Sequence, residues 1–314
     1  MDLDNLDIIC EGAALIDMVA LVDRFPGIDD EVFVPKLQYL CGGSAANTAV
    51  ACSKLNLETG FIGKIGNDPF GNILIDDFKS NLINLDNLVV SDEFPTGNCF
   101  AAVDKNGNRV LYAFSGAANQ LEPSEINPKY IKNSNLIHLA SLKYLDPLIK
   151  SAEIAKENNI LVSLNPGALI ADQPFRDIEP LITNIDIFIG SFKEVENIFD
   201  KKFDAAINEL NKYTKISAIT RGSEDAYVYD NENSAMLIIP TFDIAVKDTT
   251  GAGDAFTAGF LKGLLSNKDL YSCGIMGNAT AALCINEIGA RSGIPDYHTL
   301  MNFIKSQDTN SNGI

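Results

Sequence analysis

Residues 248–256 read Asp-Thr-Thr-Gly-Ala-Gly-Asp-Ala-Phe and place a carboxylate just after a glycine-rich turn. Gly251 and Gly253 lack a Cβ, so the backbone can come close to a ligand here. The apolar run at 255–265 predicts a helix that begins at Gly253 or Asp254. A helix start presents free N–H groups and the positive end of the helix dipole, which stabilise anionic oxygens. The segment therefore indicates phosphoryl transfer, with Asp254 as the base that takes a hydroxyl proton.

A simple helix cap is the alternative interpretation of the same segment. An Asp in the first turn after a glycine-rich loop often serves only as a cap. The segment is not a Walker A loop, because no Gly-Lys-Ser/Thr follows the glycines, and it lacks the three-glycine spacing of a dinucleotide fold. Phosphate binding would need another arrangement, and the segment alone leaves cap and catalysis equally open.

Alternating strand and helix patterns predict the elements that must position this segment. We expect strands at 7–10, 59–66, 135–140, 160–165, 185–191 and 215–221, and helices at 44–55, 69–81, 145–158, 178–184, 193–199, 205–213, 255–265, 270–287 and 297–305. Ser44 is the N-cap candidate of the helix at 44–55. The alternation predicts a doubly wound, mostly parallel sheet flanked by helices. The polar residues 307–314 are predicted to be disordered.

A hairpin pattern interrupts this alternation, with strands at 98–103 and 109–114 joined across 104–108. Because side chains alternate along a strand, apolar residues fall on both of its faces. A sheet with two apolar faces needs two covers. We expect the ligand and main domain on one side and a second subunit on the other, which predicts a homodimer; the alternative is packing on the chain's own helices. A second hairpin is predicted from 226–229 and 235–239.

Composition limits the class of protein. The 314 residues are 46% hydrophobic and include no apolar run long enough for a membrane span and no secretory leader, so we expect a cytoplasmic protein. The six cysteines form no Cys-x-x-Cys pair and there are two histidines, which argues against a structural zinc site or a disulfide framework. A net charge of −18 argues against nucleic acid as a partner.

Two separated motifs resemble those of the ribokinase, or PfkB, family of carbohydrate kinases. The first, Gly-Gly-Ser-Ala-Ala-Asn-Thr-Ala at 42–49, continues through 63–71, and the second is the segment 248–256. The resemblance extends over essentially the whole chain. It implies a single ribokinase-like α/β domain at 1–306, with a small β-sheet lid over the sugar formed by about 13–40 and 97–118.

The resemblance also implies roles for individual residues. Asp254 resembles the catalytic base, and Asp17 resembles the acid that binds sugar hydroxyls. The backbone N–H groups of the anion hole would come from Gly251, Ala252, Gly253 and Asp254. The acceptor pocket would be completed by Gly42, Gly43 and Asn47.

The nucleotide and metal residues are implied in the same way. Thr220 and Gly222 resemble the turn that contacts ATP phosphates, and Asn278 falls where the family lines its adenine pocket. Glu194 resembles the acid that organises Mg²⁺ through waters. Ser191 stands where the family has Asn. A monovalent cation such as K⁺ would be held by Asp248, Thr250 and the loop 289–293, although Gly293 offers no side-chain oxygen.

The chain departs from ribokinases near the acceptor. Ribokinases carry Gln-Leu-Glu where this chain has His138-Leu139-Ala140, so strict ribose specificity is not expected. We predict a kinase dependent on ATP and Mg²⁺ that phosphorylates a hydroxymethyl group of a sugar. A nucleoside kinase of the same family is the alternative acceptor class. Outside the kinases, a non-catalytic sugar- or nucleotide-binding relative and, more weakly, a carbon–nitrogen glycosidase remain open.

Overall fold

Two β-sheets of different size form the framework of the chain. The structure is a computed structural model that describes residues 5–106 and 108–311. In this part of the chain, the large sheet has nine strands and the small sheet has four. The strands are β1 (Leu6–Glu11), β2 (Leu15–Val22), β3 (Lys36–Gly42), β4 (Thr59–Gly66), β5 (Asn84–Ser91), β6 (Gly97–Asp104), β7 (Arg109–Phe114), β8 (Ser134–Ala140), β9 (Leu161–Asn165), β10 (Ile187–Ser191), β11 (Ile216–Arg221), β12 (Glu224–Asp230) and β13 (Ala235–Ile239).

Helices follow most strands of the large sheet. They are α1 (Ser44–Lys54), α2 (Pro69–Ser80), α3 (Pro128–Ile131), α4 (Asp146–Glu157), α5 (Gly167–Ala171), α6 (Phe175–Ile182), α7 (Phe192–Phe199), α8 (Phe203–Leu210), α9 (Ala252–Leu265), α10 (Leu270–Ile285) and α11 (Tyr297–Ser311). Two short 3₁₀ turns lie at Gly116–Gln120 and Pro123–Glu125. No helix among the described residues is long and apolar enough to cross a bilayer.

The large sheet has the order β13-β12-β11-β10-β9-β8-β1-β4-β5. Strands β8 to β11, β1, β4 and β5 are parallel, and β12 and β13 add an antiparallel edge. The chain builds outward from β1 through β4 to β5, then returns to place β8 on the other side of β1. This reversal is a topological switch point, and open α/β sheets bind ligands there, beyond the carboxyl ends of their strands.

Helices cover both faces of the large sheet, so its central strands are apolar on both sides. In β1, Ile8 and Cys10 belong to the core beneath α1, α9 and α10, whereas Ile9 belongs to the core beneath α4, α6 and α7. All three side chains are fully buried. Near-continuous apolar strands of this kind are typical of parallel sheets with two covered faces. The predicted doubly wound α/β class is confirmed.

The small sheet has the order β3-β2-β6-β7 and is mostly antiparallel, with β2 and β6 parallel. Strands β2, β6 and β7 lie within the segments predicted to form a lid, and β3 extends two residues beyond the first of them. Every residue of β7 is exposed in the single chain, so the covers predicted for the two faces of this hairpin stay a prediction. On one face of the sheet, Phe25 and Val32 of the β2–β3 connection pack against Ala20, Val22 and Ala102. The chain's own loop therefore supplies part of one cover.

Two sequence predictions differ from the structure at the level of elements. Strand β5 was missed, because the polar residues of Asn84–Ser91 hide its pattern; as an edge strand it is only half-buried. In the tail predicted to be disordered at 307–314, residues 307–311 continue α11. Once Phe303 and Ile304 pack on the core, extending a formed helix costs little. Residues 312–314, like residue 107 in the predicted hairpin turn, lie outside the described residues.

Candidate active site

The start of α9 lies at the carboxyl ends of the central strands and carries the predicted base. The helix begins at Ala252, one residue before the predicted start, with Gly251 as N-cap at φ 78°. That left-handed backbone favours glycine. A Cβ at position 251 would also lie 2.6 Å from the Cβ of Ala290. The Ala252 N–H donates to the Thr249 carbonyl at 3.3 Å, whereas the next N–H groups of the helix have no intrahelical acceptor and are available to anionic oxygens.

Both carboxylate oxygens of Asp254 are fixed by residues of α1. Ser44 Oγ donates a hydrogen bond to Oδ1 at 2.6 Å, and Asn47 Nδ2 donates to Oδ2 at 2.9 Å. The N-cap of α1 is Gly43 at φ 96°, and it makes no side-chain cap bond. The prediction that Ser44 caps this helix is therefore wrong, because its hydroxyl is directed at the carboxylate instead. Each carboxylate oxygen keeps a lone pair for a further donor.

The electrostatic surroundings give Asp254 the properties of a base. Burial raises its pKa from 3.8 to about 6, and hydrogen bonds from Ser44 and Asn47 and the nearby charge of Arg291 oppose that increase. The carboxylate is thus mostly ionised at neutral pH but more basic than an ordinary aspartate. General bases work best with a pKa close to the operating pH.

Arg291 belongs to the loop 289–293 predicted to hold a cation, but the sequence did not reveal its contacts with the acceptor residues. Its Nε donates to Oδ1 of Asn47 at 2.8 Å, its NH2 group donates to the Gly42 carbonyl at 3.3 Å, and its NH1 group pairs with Asp77. The sequence signal was weak, because Arg291 and Asn47 are 244 positions apart. A buried arginine beside two aspartates would be visible only after folding.

Asp17 lies on β2, close to the same cluster. A side chain at Gly42 would collide with the Asp17 carboxylate, so glycine is required there. A side chain at Gly43 would likewise meet the Ala13 carbonyl. Burial raises the pKa of Asp17 to about 6, and Arg291 opposes the increase. The structure therefore brings together the four residues predicted to bind the acceptor, Asp17, Gly42, Gly43 and Asn47. Asn47 itself is only 6% exposed, and both the oxygen and the nitrogen of its amide already form hydrogen bonds within the protein.

The residues predicted for the nucleotide phosphates are adjacent at the ends of two strands. Ser191 of β10 and Thr220 of β11 are partners in the sheet register. Ser191 and Glu194 form a capping box, in which Ser191 N–H donates to Glu194 Oε2 at 2.6 Å. The Ser-x-x-Glu spacing could have revealed this cap from the sequence. Gly222 has φ 69° and no atom within 4 Å of where a Cβ would lie, so its backbone is open to a ligand.

Asn278 holds α10 to the end of β13. Its Nδ2 donates to the Ile239 carbonyl at 3.2 Å and to the Pro240 carbonyl at 2.8 Å. Both amide hydrogens are used in this way. The side-chain oxygen is the group left for an adenine ring.

The residues predicted for a monovalent cation form a tight turn. Asp248 Oδ1 accepts hydrogen bonds from Thr250 N–H and Oγ1, and Oδ2 accepts from Gly289 N–H at 2.9 Å. Burial would raise the pKa of Asp248, but these bonds lower it. A Cβ at Gly293 would collide with carbonyls of α10, so that position has no room for a side-chain ligand. No cluster of three or more acidic, His or Cys residues suited to a metal exists among the described residues.

His138 is a buried, neutral histidine behind the site. Its Nδ1 is 2.6 Å from Ser163 Oγ, and burial lowers its pKa to about 3. It pairs in register with Cys10 and Ser163. With no exposed surface it cannot reach a substrate, so it is not a candidate base.

A sizeable cavity in the described part of the chain lies elsewhere. It has a volume of about 650 Å³ and is lined by the β8–α4 connection, α5 and α6, including Lys143, Asp146, Asp172 and Asp177. It contains none of the residues discussed above. Its acidic lining does not suit a phosphate. We therefore locate the site by its converging functional groups at the switch point rather than by cavity size.

Comparison with known proteins gives a consistent result. A family model described as "pfkB family carbohydrate kinase" matches residues 5–297. An uncharacterized sugar kinase of Archaeoglobus fulgidus is 35% identical over 77% of this chain and 97% of its own length. An ATP-dependent ribose-1-phosphate kinase of Halopiger xanaduensis is 30% identical over 88% of this chain and 90% of its own. The crystal structure of the Methanocaldococcus jannaschii nucleoside kinase, an archaeal member of the ribokinase family, is similar with a TM-score of 0.84 and 25% identity, over 96% of this chain and 98% of that one.

Proposed function

The chain belongs to the pfkB family of carbohydrate kinases, and on that premise we propose that it transfers the γ-phosphate of ATP to a hydroxymethyl group of a sugar. As a member of this family it is a phosphotransferase with an alcohol acceptor. The observation that carries the proposal is the Asp254 carboxylate, fixed by Ser44 and Asn47 at the start of α9. A base placed beside helix N–H groups is what phosphoryl transfer requires of a protein.

The proposed reaction follows from this placement. Asp254 accepts the proton of the acceptor hydroxyl as its oxygen attacks the γ-phosphorus, and ADP leaves. The N–H groups of Gly251, Ala252, Gly253 and Asp254 stabilise the negative charge on the transferring phosphoryl oxygens. The helix dipole adds to this effect over the first turn of α9. Asp17 binds hydroxyl groups of the acceptor and orients it for attack.

The nucleotide would lie across the ends of β10 and β11. Thr220 and the open backbone at Gly222 would contact its phosphates, with Ser191 beside them. Glu194 would contribute a carboxylate toward Mg²⁺, which neutralises phosphate charge when bound; one of its oxygens already closes the α7 capping box. Asn278 would face the adenine. For K⁺, the charge of Asp248 favours binding, whereas its three hydrogen bonds and the missing side chain at Gly293 disfavour it.

The small sheet would act as a lid over the acceptor. Its register places Cys99 and Ala113 beside Asp17 on the same face, and both of these side chains are small. Small side chains leave space above the sugar, which favours a nucleoside as the alternative acceptor, and the nucleoside kinase relative is in agreement with it. We also propose that residues 1–306 form one domain and that two copies associate through the opposite face of the lid.

A screen of acceptors tests this function. Purified protein with ATP and Mg²⁺ is incubated with pentoses, hexoses, ribose 1-phosphate and nucleosides, and ADP formation is measured. We expect turnover with one acceptor class. The Asp254→Ala variant serves as the control that the activity comes from this site. If none of these acceptors leads to ADP formation, the result would contradict the kinase function and favour a binding protein.

A further inference from the structure

Arg291 lies behind the proposed base and is linked to it through one side chain. The arginine side chain is 12% exposed, and its Nε donates to Asn47 Oδ1 at 2.8 Å. The Nδ2 group of the same amide donates to Asp254 Oδ2 at 2.9 Å. We propose that Arg291 is a positioning residue for phosphoryl transfer, which acts on Asp254 through the Asn47 amide. This inference rests on the proposed function of Asp254 as the base.

The chemistry of the three groups allows only one orientation of the amide. A guanidinium can only donate hydrogen bonds, and an ionised carboxylate can only accept them. The oxygen of Asn47 must therefore face Arg291, and its nitrogen must face Asp254. A flipped amide would place two donors together at one end and two acceptors together at the other. Arg291 thus selects the orientation in which Asn47 holds the carboxylate.

Arg291 is itself fixed by three further contacts. Its NH1 group pairs with Asp77 of α2, and its NH2 group donates to the Gly42 carbonyl at 3.3 Å. Lys54 Nζ of α1 donates to the Arg291 backbone carbonyl at 3.1 Å. The planar, branched guanidinium can reach Asn47, Asp77 and the Gly42 carbonyl at once, whereas a lysine ammonium cannot do so with the same geometry. Through Arg291 and Asn47, the positions of α2 and β3 therefore affect the orientation of the Asp254 carboxylate.

The charges around Asp254 give this link a measurable signature. The positive charge of Arg291 lowers the pKa of Asp254, against the larger effect of burial. Asp77 partly neutralises that positive charge. Loss of Arg291 should therefore raise the pKa of Asp254, whereas loss of the Asp77 charge should lower it or leave it unchanged. The other charged or titratable groups close to Asp254 and Arg291 are Glu194 of α7, Lys54 of α1, Cys10 of β1, Cys284 of α10, Asp17 of β2 and Cys41 of β3.

Kinetics of matched variants provide the first test. We would measure kcat and KM between pH 5 and 9 for Arg291→Met, Arg291→Lys and Asp77→Asn with the acceptor identified in the screen. For Arg291→Met we expect kcat to fall about tenfold or more, and the acid limb of kcat/KM to move upward by about half a pH unit or more. The KM for ATP should change little. Arg291→Lys keeps the charge, so its acid limb should lie at the wild-type pH, while its kcat should be only partly restored. Asp77→Asn should not move the acid limb to higher pH.

The outcomes distinguish positioning from packing. If Arg291→Met and Asp77→Asn both lose kcat while neither moves the acid limb, Arg291 serves only to join α2 to the loop, and the inference is wrong. If circular dichroism shows that Arg291→Met does not fold, Arg291→Gln replaces it, because glutamine keeps a hydrogen-bond donor but loses the charge. The same upward shift of the acid limb is then expected of Arg291→Gln.

A titration that needs no turnover separates this inference from the proposed function. The carboxyl carbon of Asp254 is followed by NMR in protein labelled at aspartate, with Asp254→Asn used for assignment. We expect its midpoint to be higher in Arg291→Met than in wild type, and not higher in Asp77→Asn. Equal midpoints in wild type and Arg291→Met would overturn the inference even if the protein is an active kinase. Conversely, an inactive wild type with shifted midpoints would contradict the kinase function and leave the Arg291–Asn47–Asp254 link supported.

Discussion

Asp254 combines three properties that a base needs: a raised pKa, a fixed orientation and a helix N-terminus beside it. The fixed orientation comes from α1. Ser44 and Asn47 belong to the first family motif, at 42–49, and they hold Asp254 of the second motif, at 248–256. At the scale of single residues, the site is therefore one hydrogen-bonded unit rather than two separate motifs. Its members are Ser44, Asn47, Asp254 and Arg291.

Replacing Asp254 tests the role of the carboxylate directly. Asp254→Asn keeps the shape and can still bond to Ser44, but it cannot take a proton. We expect kcat to fall about 10²- to 10⁴-fold, the usual contribution of a general base, while ATP affinity changes little. Steady-state kinetics together with calorimetric ATP binding measure both quantities. A variant that keeps more than about a tenth of the wild-type rate would show that another group is the base.

Glu11 is a buried acid that the proposed mechanism does not use. It has no exposed surface, and neither of its oxygens has a hydrogen-bond partner of normal geometry among the described residues. Burial raises its pKa from 4.5 to about 8, and nearby Ser151 opposes the increase. Because the folded protein holds this proton more tightly than the unfolded chain, its contribution to stability is complete below pH 4.5 and is lost as the pH rises toward 8.

Glu11→Gln should therefore flatten the dependence of stability on pH. At pH 8 we expect its free energy of unfolding to exceed that of the wild type by up to about 3 kcal/mol, with a smaller difference at pH 5. Urea denaturation at both pH values measures this. Glu157→Gln, at the exposed end of α4, is the control and should behave like wild type. A Glu11→Gln profile parallel to that of the wild type would mean that Glu11 is ionised in the folded protein.

At the scale of elements, the sequence predicts long parallel strands well and short polar edges poorly. Strand β4 was predicted with the bounds observed, because seven of its eight residues are buried and the pattern is unbroken. Strand β5 was missed because an edge strand tolerates the asparagines that interrupt it. In the site, Asp254, Asp17 and Asn47 were found through motifs. Ser44 and Arg291 acquire their roles from partners more than 200 positions away, which no local pattern can indicate.

Two glycines at the start of α9, the N-cap Gly251 and Gly253 of the first turn, offer a matched pair of variants. Gly251→Ala would force a Cβ onto a backbone with φ 78° and to within 2.6 Å of Ala290. We expect it to destabilise the protein by about 1–3 kcal/mol, with a lower melting temperature. Gly253→Ala meets no atom within 4 Å and should leave stability unchanged or raise it by up to about 1 kcal/mol, because alanine favours helix.

Activity separates the two variants further. The added methyl group of Gly253→Ala would lie at the open end of the helix, where we propose that the transferring phosphoryl binds. We therefore expect kcat/KM for ATP to fall at least about tenfold in a fully folded protein. Full activity of Gly253→Ala would rule out the start of α9 as the anion hole.

At the scale of the whole molecule, the net charge of −18 opposes the binding of ATP, which is itself anionic. The chain compensates locally rather than globally. The N-terminus of α9 and the buried Arg291 place positive potential where we propose that the phosphoryl is transferred. This explains why few cationic side chains are needed at the site, since backbone N–H groups can supply most of the stabilisation.

The exposed face of the small sheet provides the last prediction. Tyr39, Tyr112 and Phe114 are 52%, 68% and 50% exposed, and strand alternation places Tyr112 and Phe114 on the face opposite Asp17. Phe25 and Val32 cover only part of this face, and the exposed aromatic side chains beside them are typical of a subunit interface. Light scattering should give twice the 34.0 kDa chain mass for the wild type and the single-chain mass for Tyr112→Glu. Leu111→Glu, on the acceptor face of the same strand, should remain dimeric and instead raise the KM for the acceptor. A monomeric wild type would contradict the dimer, and a Leu111→Glu variant that dissociates would show that the two faces are assigned the wrong way round.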